Sequence, residues 1–128
     1  MYRILAVDDD PAVLSCYARL LRREGHHVET APGGESALAK LSGGASFDVV
    51  ILDFRMPGMD GMDFLCRMRK LGHTPEAILV SAYVTDDVRT SAARMGVRSI
   101  LEKPVDIAKL RRAIASSSPL ARSAGSGC

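Results

Sequence analysis

The chain predicts an α/β fold in which a five-stranded parallel sheet carries helices on both faces. Three observations predict it. Strand and helix signals alternate five times along the 128 residues. Helix-length crossovers between consecutive strands favour parallel pairing with both faces covered. Charged residues follow three of the apolar runs directly, Asp8 and Asp9, then Asp53, then Lys103. In a parallel sheet such ends share the edge at which ligands bind.

Residues 4–7 form the first apolar run. Asp10 and Pro11 then mark a helix start, with the acid as N-cap and the proline at the first helical position. Val13, Leu14, Tyr17, Leu20 and Leu21 recur at helical spacing until Gly25. A weaker strand covers 28–31. Gly33 and Gly34 separate it from a helix holding Ala37, Leu38 and Leu41, and Gly43 and Gly44 break the chain again. Residues 49–52 are the most apolar run and read as a central strand buried on both faces.

A loop over 54–60 carries Pro57 and Gly58, and Phe64, Leu65 and Met68 mark the third helix, which stops near Gly72. Residues 77–80 are the fourth strand. A polar helix over 84–95 has Thr85 as N-cap and Asp86 and Asp87 in its first turn, and Gly96 closes it. Residues 99–101 are the fifth strand. Asp106 caps the last helix, whose Ile107, Leu110 and Ile114 face inward. No internal repeat is present. Residues 1–116 read as one domain, and 117–128, rich in Ser, Gly and Ala, as a flexible tail or linker.

Composition narrows the function classes. Hydrophobic residues at 47% suffice for a core, and charged residues at 25% with a net charge of +2 give no case for a nucleic-acid or membrane partner. No apolar run can cross a bilayer, and the start lacks a signal-peptide pattern. Cys16, Cys66 and Cys128 are odd in number and widely spaced, which suits a reducing cytoplasm rather than a disulfide framework or zinc site. His26, His27 and His73 lie near glycines and read as solvated loop residues. Arg19, Arg22, Arg23, Arg111 and Arg112 read as solvated helix faces, and Met56, Met59 and Met62 as packing around a loop.

The acids are the chemical signal. Asp8, Asp9 and Asp53 in one small site repel each other and disfavour their charged forms. A hard cation relieves that repulsion, and oxygen ligands suit Mg²⁺. Asp10 beside Pro11 already fills the capping role, so Asp8 and Asp9 are free for function. Ser81 and Lys103 fall at the same sheet edge. The set reads as a metal site made for phosphate chemistry.

Four motifs in order carry a family resemblance from residue 2 to residue 116. They are Val7-Asp8-Asp9-Asp10-Pro11, the stretch from Leu52-Asp53 to Asp60-Gly61, Val80-Ser81-Ala82, and Glu102-Lys103-Pro104. The chain resembles a response-regulator receiver domain of the CheY-like superfamily, the phosphoacceptor module of two-component signalling. The resemblance implies a flavodoxin-like, three-layer α/β/α fold of strand order 2-1-3-4-5 with five helices. It implies that Asp53 accepts a phosphoryl group from a phosphohistidine. Asp9, Asp53 and the backbone carbonyl of Arg55 would hold Mg²⁺, with Asp8 acting largely through a metal-bound water. Ser81 would donate to the phosphoryl group, Lys103 would pair with Asp53 or the phosphoryl oxygens, and Lys103-Pro104 would be a cis peptide.

The implied partners are a sensor histidine kinase or a histidine phosphotransfer protein, with an output domain or target beyond them and a homodimer as a further option. The chain would be a switch rather than an enzyme. An aspartyl-phosphate phosphatase usually has a second acid two residues after its nucleophile, and here Arg55 occupies that position. A phosphorylation-independent interaction module with the same fold is the alternative reading. Ile100 stands where many receivers have an aromatic, so the switch is expected to shift the loop after Ser81 and the fourth helix without a ring rotation. Arg55 and Tyr83 are expected to shield the phosphoryl group and slow its loss.

Overall fold

The structure is a computed structural model and describes residues 1–117. The expected tail falls outside that range except for Ser117. This residue is buried and donates its hydroxyl to the Ala113 carbonyl at 3.1 Å. Ten elements alternate as expected: β1 (Arg3–Val7), α1 (Pro11–Arg23), β2 (His27–Ala31), α2 (Gly34–Ser42), β3 (Val49–Asp53), α3 (Gly61–Lys70), β4 (Glu76–Ser81), α4 (Asp86–Arg94), β5 (Ser99–Glu102) and α5 (Ile107–Ala115). All pairings are parallel, in the order β2-β1-β3-β4-β5. This is the flavodoxin-like fold.

Strand alternation divides the core into two. Successive side chains point to opposite faces. Ile4 and Ala6, Val49 and Ile51, and Ile78 and Val80 pack with Leu14, Tyr17 and Leu21 of α1 and with Leu110 and Ile114 of α5. Leu5 and Val7, Val50 and Leu52, and Ala77 and Leu79 pack on the other side, with residues of α2, α3 and α4. β3 is buried along its whole length, as its unbroken apolar run predicts.

The helix starts follow local chemistry. Asp10 accepts from the Ala12 amide, Thr85 from Val88 and Asp106 from Ala108, each a side-chain N-cap. Asp60 caps α3 in the same way, accepting from the Asp63 amide at 2.8 Å. α4 begins at Asp86 rather than at residue 84, because Thr85 is extended (φ −94°, ψ 171°) and its side chain serves the cap.

Polar strand ends also pair, so strands outrun their apolar runs: Arg3 with His27, Val49 with Glu76, Ser81 with Glu102. His27 therefore belongs to a strand and not to a loop. His26 is no free loop residue either, since its Nδ1 accepts the Tyr2 amide at 3.1 Å and its ring stacks on Tyr2. Glu76 is buried at the edge opposite the acids and is held by Arg98 through two contacts of 3.1 and 3.3 Å. Among the described residues no helix is long and apolar enough to cross a membrane.

Candidate functional site

The carboxyl ends of β1, β3 and β5 bring the charged residues together. One carboxylate oxygen each of Asp8, Asp9 and Asp53 lies within 4.8 Å of the others. Asp8 and Asp53 continue the alternation of Ile4-Ala6 and Val49-Ile51, so they face the α1 and α5 side. Asp8 is 1% exposed and Asp53 6%, while Asp9 is open to solvent. Asp8 is fully engaged: Oδ1 accepts the Asp10 amide at 2.9 Å and Oδ2 accepts Lys103 Nζ at 2.9 Å. Lys103 also donates to Asp53 Oδ2 at 3.2 Å. The ammonium thus divides itself between two buried acids. Its own place is fixed by a ladder bond from its amide to the Ser81 carbonyl at 2.9 Å.

Electrostatics show what the cluster lacks. Burial and then the charge of Asp8 raise the Asp53 carboxyl above the ordinary aspartate value, and Lys103 and the Arg55 backbone amide offset this only in part. Burial alone would lower the Lys103 pKa, yet the hydrogen bond and charge of Asp8, with Asp53 behind them, leave it above the ordinary lysine value. One ammonium does not balance three carboxylates. Oxygen donors this close, one of them open to water, fit a hard divalent cation.

The loop after β3 is held tight. The Phe54 amide donates to the Val80 carbonyl at 2.9 Å, and the Gly61 amide to the Phe54 carbonyl at 2.8 Å. A Cβ on Gly61 would stand 2.9 Å from the Asp53 carbonyl oxygen and 3.1 Å from Phe54 Cα, so only glycine allows α3 this approach to the acid strand. Met56 and Met59 are buried there and Met62 packs against the same cluster, as packing residues.

Ser81, buried at the end of β4, donates its hydroxyl to the Tyr83 carbonyl at 3.0 Å, so its oxygen serves its own turn rather than the acids. The Arg55 guanidinium lies over the Phe54 ring, 5.8 Å from its centroid. Tyr83 is 77% exposed. Ile100 is partly buried against the α2–α4 side of the core. Lys103-Pro104 is cis.

Three features of the site escaped the sequence reading. The Asp60 cap is signalled by an acid before Gly61 and a hydrophobic run. The close approach at Gly61 depends on tertiary packing. Tyr17 reads from spacing as an apolar position, yet it carries its hydroxyl into the interior.

A model of the response regulator receiver domain matches residues 4–115. A response regulator receiver protein of Anaeromyxobacter sp. is 34% identical over 86% of this chain and 46% of its own length. The transcriptional regulatory protein TcrA of Mycobacterium tuberculosis is 32% identical over 94% of this chain and 48% of its own. The chain thus spans about half the length of these relatives. Among solved structures, the chemotaxis protein CheY4 of Vibrio cholerae superposes with a TM-score of 0.83 at 29% identity, covering 92% of this chain and 99% of that one. The response regulator TrrA of Thermotoga maritima, solved in complex with Mg²⁺ and beryllofluoride, gives 0.78 at 31% identity, with coverage of 92% and 100%. The match over nearly all the described residues, the strand order and the acid edge agree, and the chain belongs to the response regulator receiver domain family.

Proposed function

We propose that this chain is the phosphoacceptor of a two-component phosphorelay and that Asp53 receives the phosphoryl group. The observation that carries the reading is the Asp8, Asp9 and Asp53 cluster with Lys103 bridging two of its members. Asp9, Asp53 and the Arg55 carbonyl would hold Mg²⁺, and Asp8 would act through a bound water. The metal, when bound, supplies positive charge against the phosphoryl oxygens.

The chain's own groups do the rest. The ionised Asp53 carboxylate attacks phosphorus, and the bond from phosphorus to the donor imidazole breaks. The product is an acyl phosphate, and no general base is needed. Lys103 holds Asp53 in place and follows the new charge. Ser81 gives up the Tyr83 carbonyl and donates to a phosphoryl oxygen. That exchange releases the turn before α4, so the signal leaves through α4, β5 and α5 by a shift between two conformations. Ile100 repacks there without an aromatic flip.

The partners are a sensor histidine kinase or a phosphotransfer protein upstream and an output domain or target downstream, in the cytoplasm. The domain includes Ser117, which is buried against α5, it carries no nucleic-acid contact of its own, and it turns over only its own phosphoryl group. Intact mass after incubation with acetyl phosphate and Mg²⁺ tests the reading. The wild type gains one phosphoryl group and Asp53→Asn gains none. A wild type that gains nothing from acetyl phosphate or a phosphohistidine donor would leave a docking module with a receiver fold.

A further inference from the structure

The sheet has two outer strands, β2 and β5, and their edges are guarded unequally. On β2, Glu29 pairs with His27 at 3.3 Å and with Lys40 at 3.4 Å, so charge covers that edge. β5 instead carries Ile100 and Leu101 at its centre. Among the described residues it is the only strand with no fully buried residue. Ile100 leans on the α2–α4 side of the core and Leu101 on the α1–α5 side. An edge strand of this kind is a template for another strand.

The backbone of β5 has hydrogen bonds to offer. The Lys103 amide donates to the Ser81 carbonyl, and residues along a parallel strand turn alternately to either side. Residues 99 and 101 therefore also turn to β4, while the amides and carbonyls of Ile100 and Glu102 face outward. Beside them a groove of about 710 Å³ runs between β5 and α5, floored by Ile100, Leu101 and Ala113. Arg98, Lys109 and Arg112 line it too, and no acid does. Glu102 follows the alternation of Ile100, so its side chain belongs to the opposite face. Glu76 already holds Arg98. Lys109 and Arg112 are exposed and have no ion-pair partner among the described residues.

We propose that the β5 edge and the groove beside α5 bind an extended acidic segment of a partner protein by strand addition. The segment pairs with the outward backbone groups of Ile100 and Glu102. Its side chains alternate between two faces. Acids on the face toward α5 meet Lys109 and Arg112, and apolar residues on the other face meet Ile100. Charge decides against a second copy of this chain as the occupant. A two-fold pairing of β5 with itself keeps both α5 helices on one face and sets cations against cations. A nucleic acid would leave the apolar floor and the strand edge unused. The place of this surface in signalling rests on the phosphoacceptor reading above, because the Lys103 amide ties β5 to Ser81; the binding itself does not.

The probe is a dye-labelled peptide of alternating Glu and Val, titrated with the full chain and followed by fluorescence anisotropy. Its controls are the same peptide with Lys for Glu, and the Glu-Val peptide methylated at its backbone amides. The Glu-Val peptide is expected to bind and to slow hydrogen exchange at the Ile100 and Glu102 amides. Both controls should bind more weakly by about tenfold or more. Reversing two charges together, Lys109→Glu with Arg112→Glu, should weaken the Glu-Val peptide by about tenfold, the scale of two exposed ion pairs. That variant should keep the wild-type urea midpoint and the wild-type phosphorylation by acetyl phosphate. Equal binding of the Glu-Val and Lys-Val peptides, undiminished binding of the methylated one, or exchange slowed away from β5 would overturn the proposal. So would an oligothymidylate that displaces the peptide, or a dimer in sedimentation equilibrium that the peptide leaves intact. A wild type that binds the peptide yet takes no phosphoryl group would keep this surface and remove the reading above.

Discussion

Replacing Lys103 by methionine asks whether the acid site is a buried ionic cluster or a surface ion pair. Met keeps the apolar stem and deletes the charge. Among the described residues, Lys103 is the only cation paired with Asp8 or Asp53. Their side chains are 1% and 8% exposed, that of Lys103 25%. Removing one partner of a buried pair costs about 3–5 kcal/mol. The low end applies here, since Lys103 still reaches water and Asp53 can take up a proton. A loss of about 3 kcal/mol, at an unfolding entropy of about 2.1 cal/mol/K per residue, lowers Tm by about 12 °C for a domain of this size. Urea unfolding followed by circular dichroism, in EDTA and then in saturating Mg²⁺, measures it. The deficit should be near that value in EDTA with an unchanged m-value, and should shrink in Mg²⁺, because the cation binds the variant's acids more tightly once the competing ammonium is gone and stabilises each folded state according to its affinity. A deficit under about 1 kcal/mol in EDTA, the worth of an exposed pair, would refute the reasoning.

Three further predictions concern the same edge. Asp53→Asn should raise stability at neutral pH. A carboxyl whose pKa is raised on folding holds its proton more tightly folded than unfolded, so stability falls as pH climbs from the unfolded value through the folded one. Urea midpoints across that window should flatten in the variant, and an unchanged slope would count against the burial argument. Gly61→Ala should cost about 1–3 kcal/mol, because its Cβ meets backbone at 2.9 and 3.1 Å. Gly34→Ala should cost less, since its 2.7 Å contact is the flexible end of Met59, and equal midpoints for the two would contradict this. Asp60→Ala removes the α3 cap and should cost about 1 kcal/mol by the same assay, while unchanged stability would show that the cap is redundant.

Much of this molecule is legible in its sequence, for physical reasons. A short all-apolar run such as 49–52, between turn signals and rich in β-branched residues, reads as a strand covered on both faces, and Asp10-Pro11 or Thr85-Asp86-Asp87 write a helix start in local chemistry. The acid edge is legible because parallel strands all end on one side. Strand ends are less so, since Arg3, Glu76 and Glu102 pair in the ladder whatever their polarity. Side-chain direction is least legible. Nothing in the spacing says that Ser81 turns to the Tyr83 carbonyl, that Arg55 lies on Phe54, or that the Tyr17 hydroxyl goes unpaired. Those outcomes are settled by tertiary neighbours. The sequence pattern records only that position 17 faces inward.

The most direct test of the central claim is to locate the modified residue. Protein treated with acetyl phosphate is reduced with borohydride, which converts an acyl phosphate to an alcohol, and then digested and sequenced by mass spectrometry. The account predicts reduction at Asp53 in Mg²⁺ and none in EDTA. Reduction at another carboxylate, or at Asp53 regardless of the metal, would contradict it.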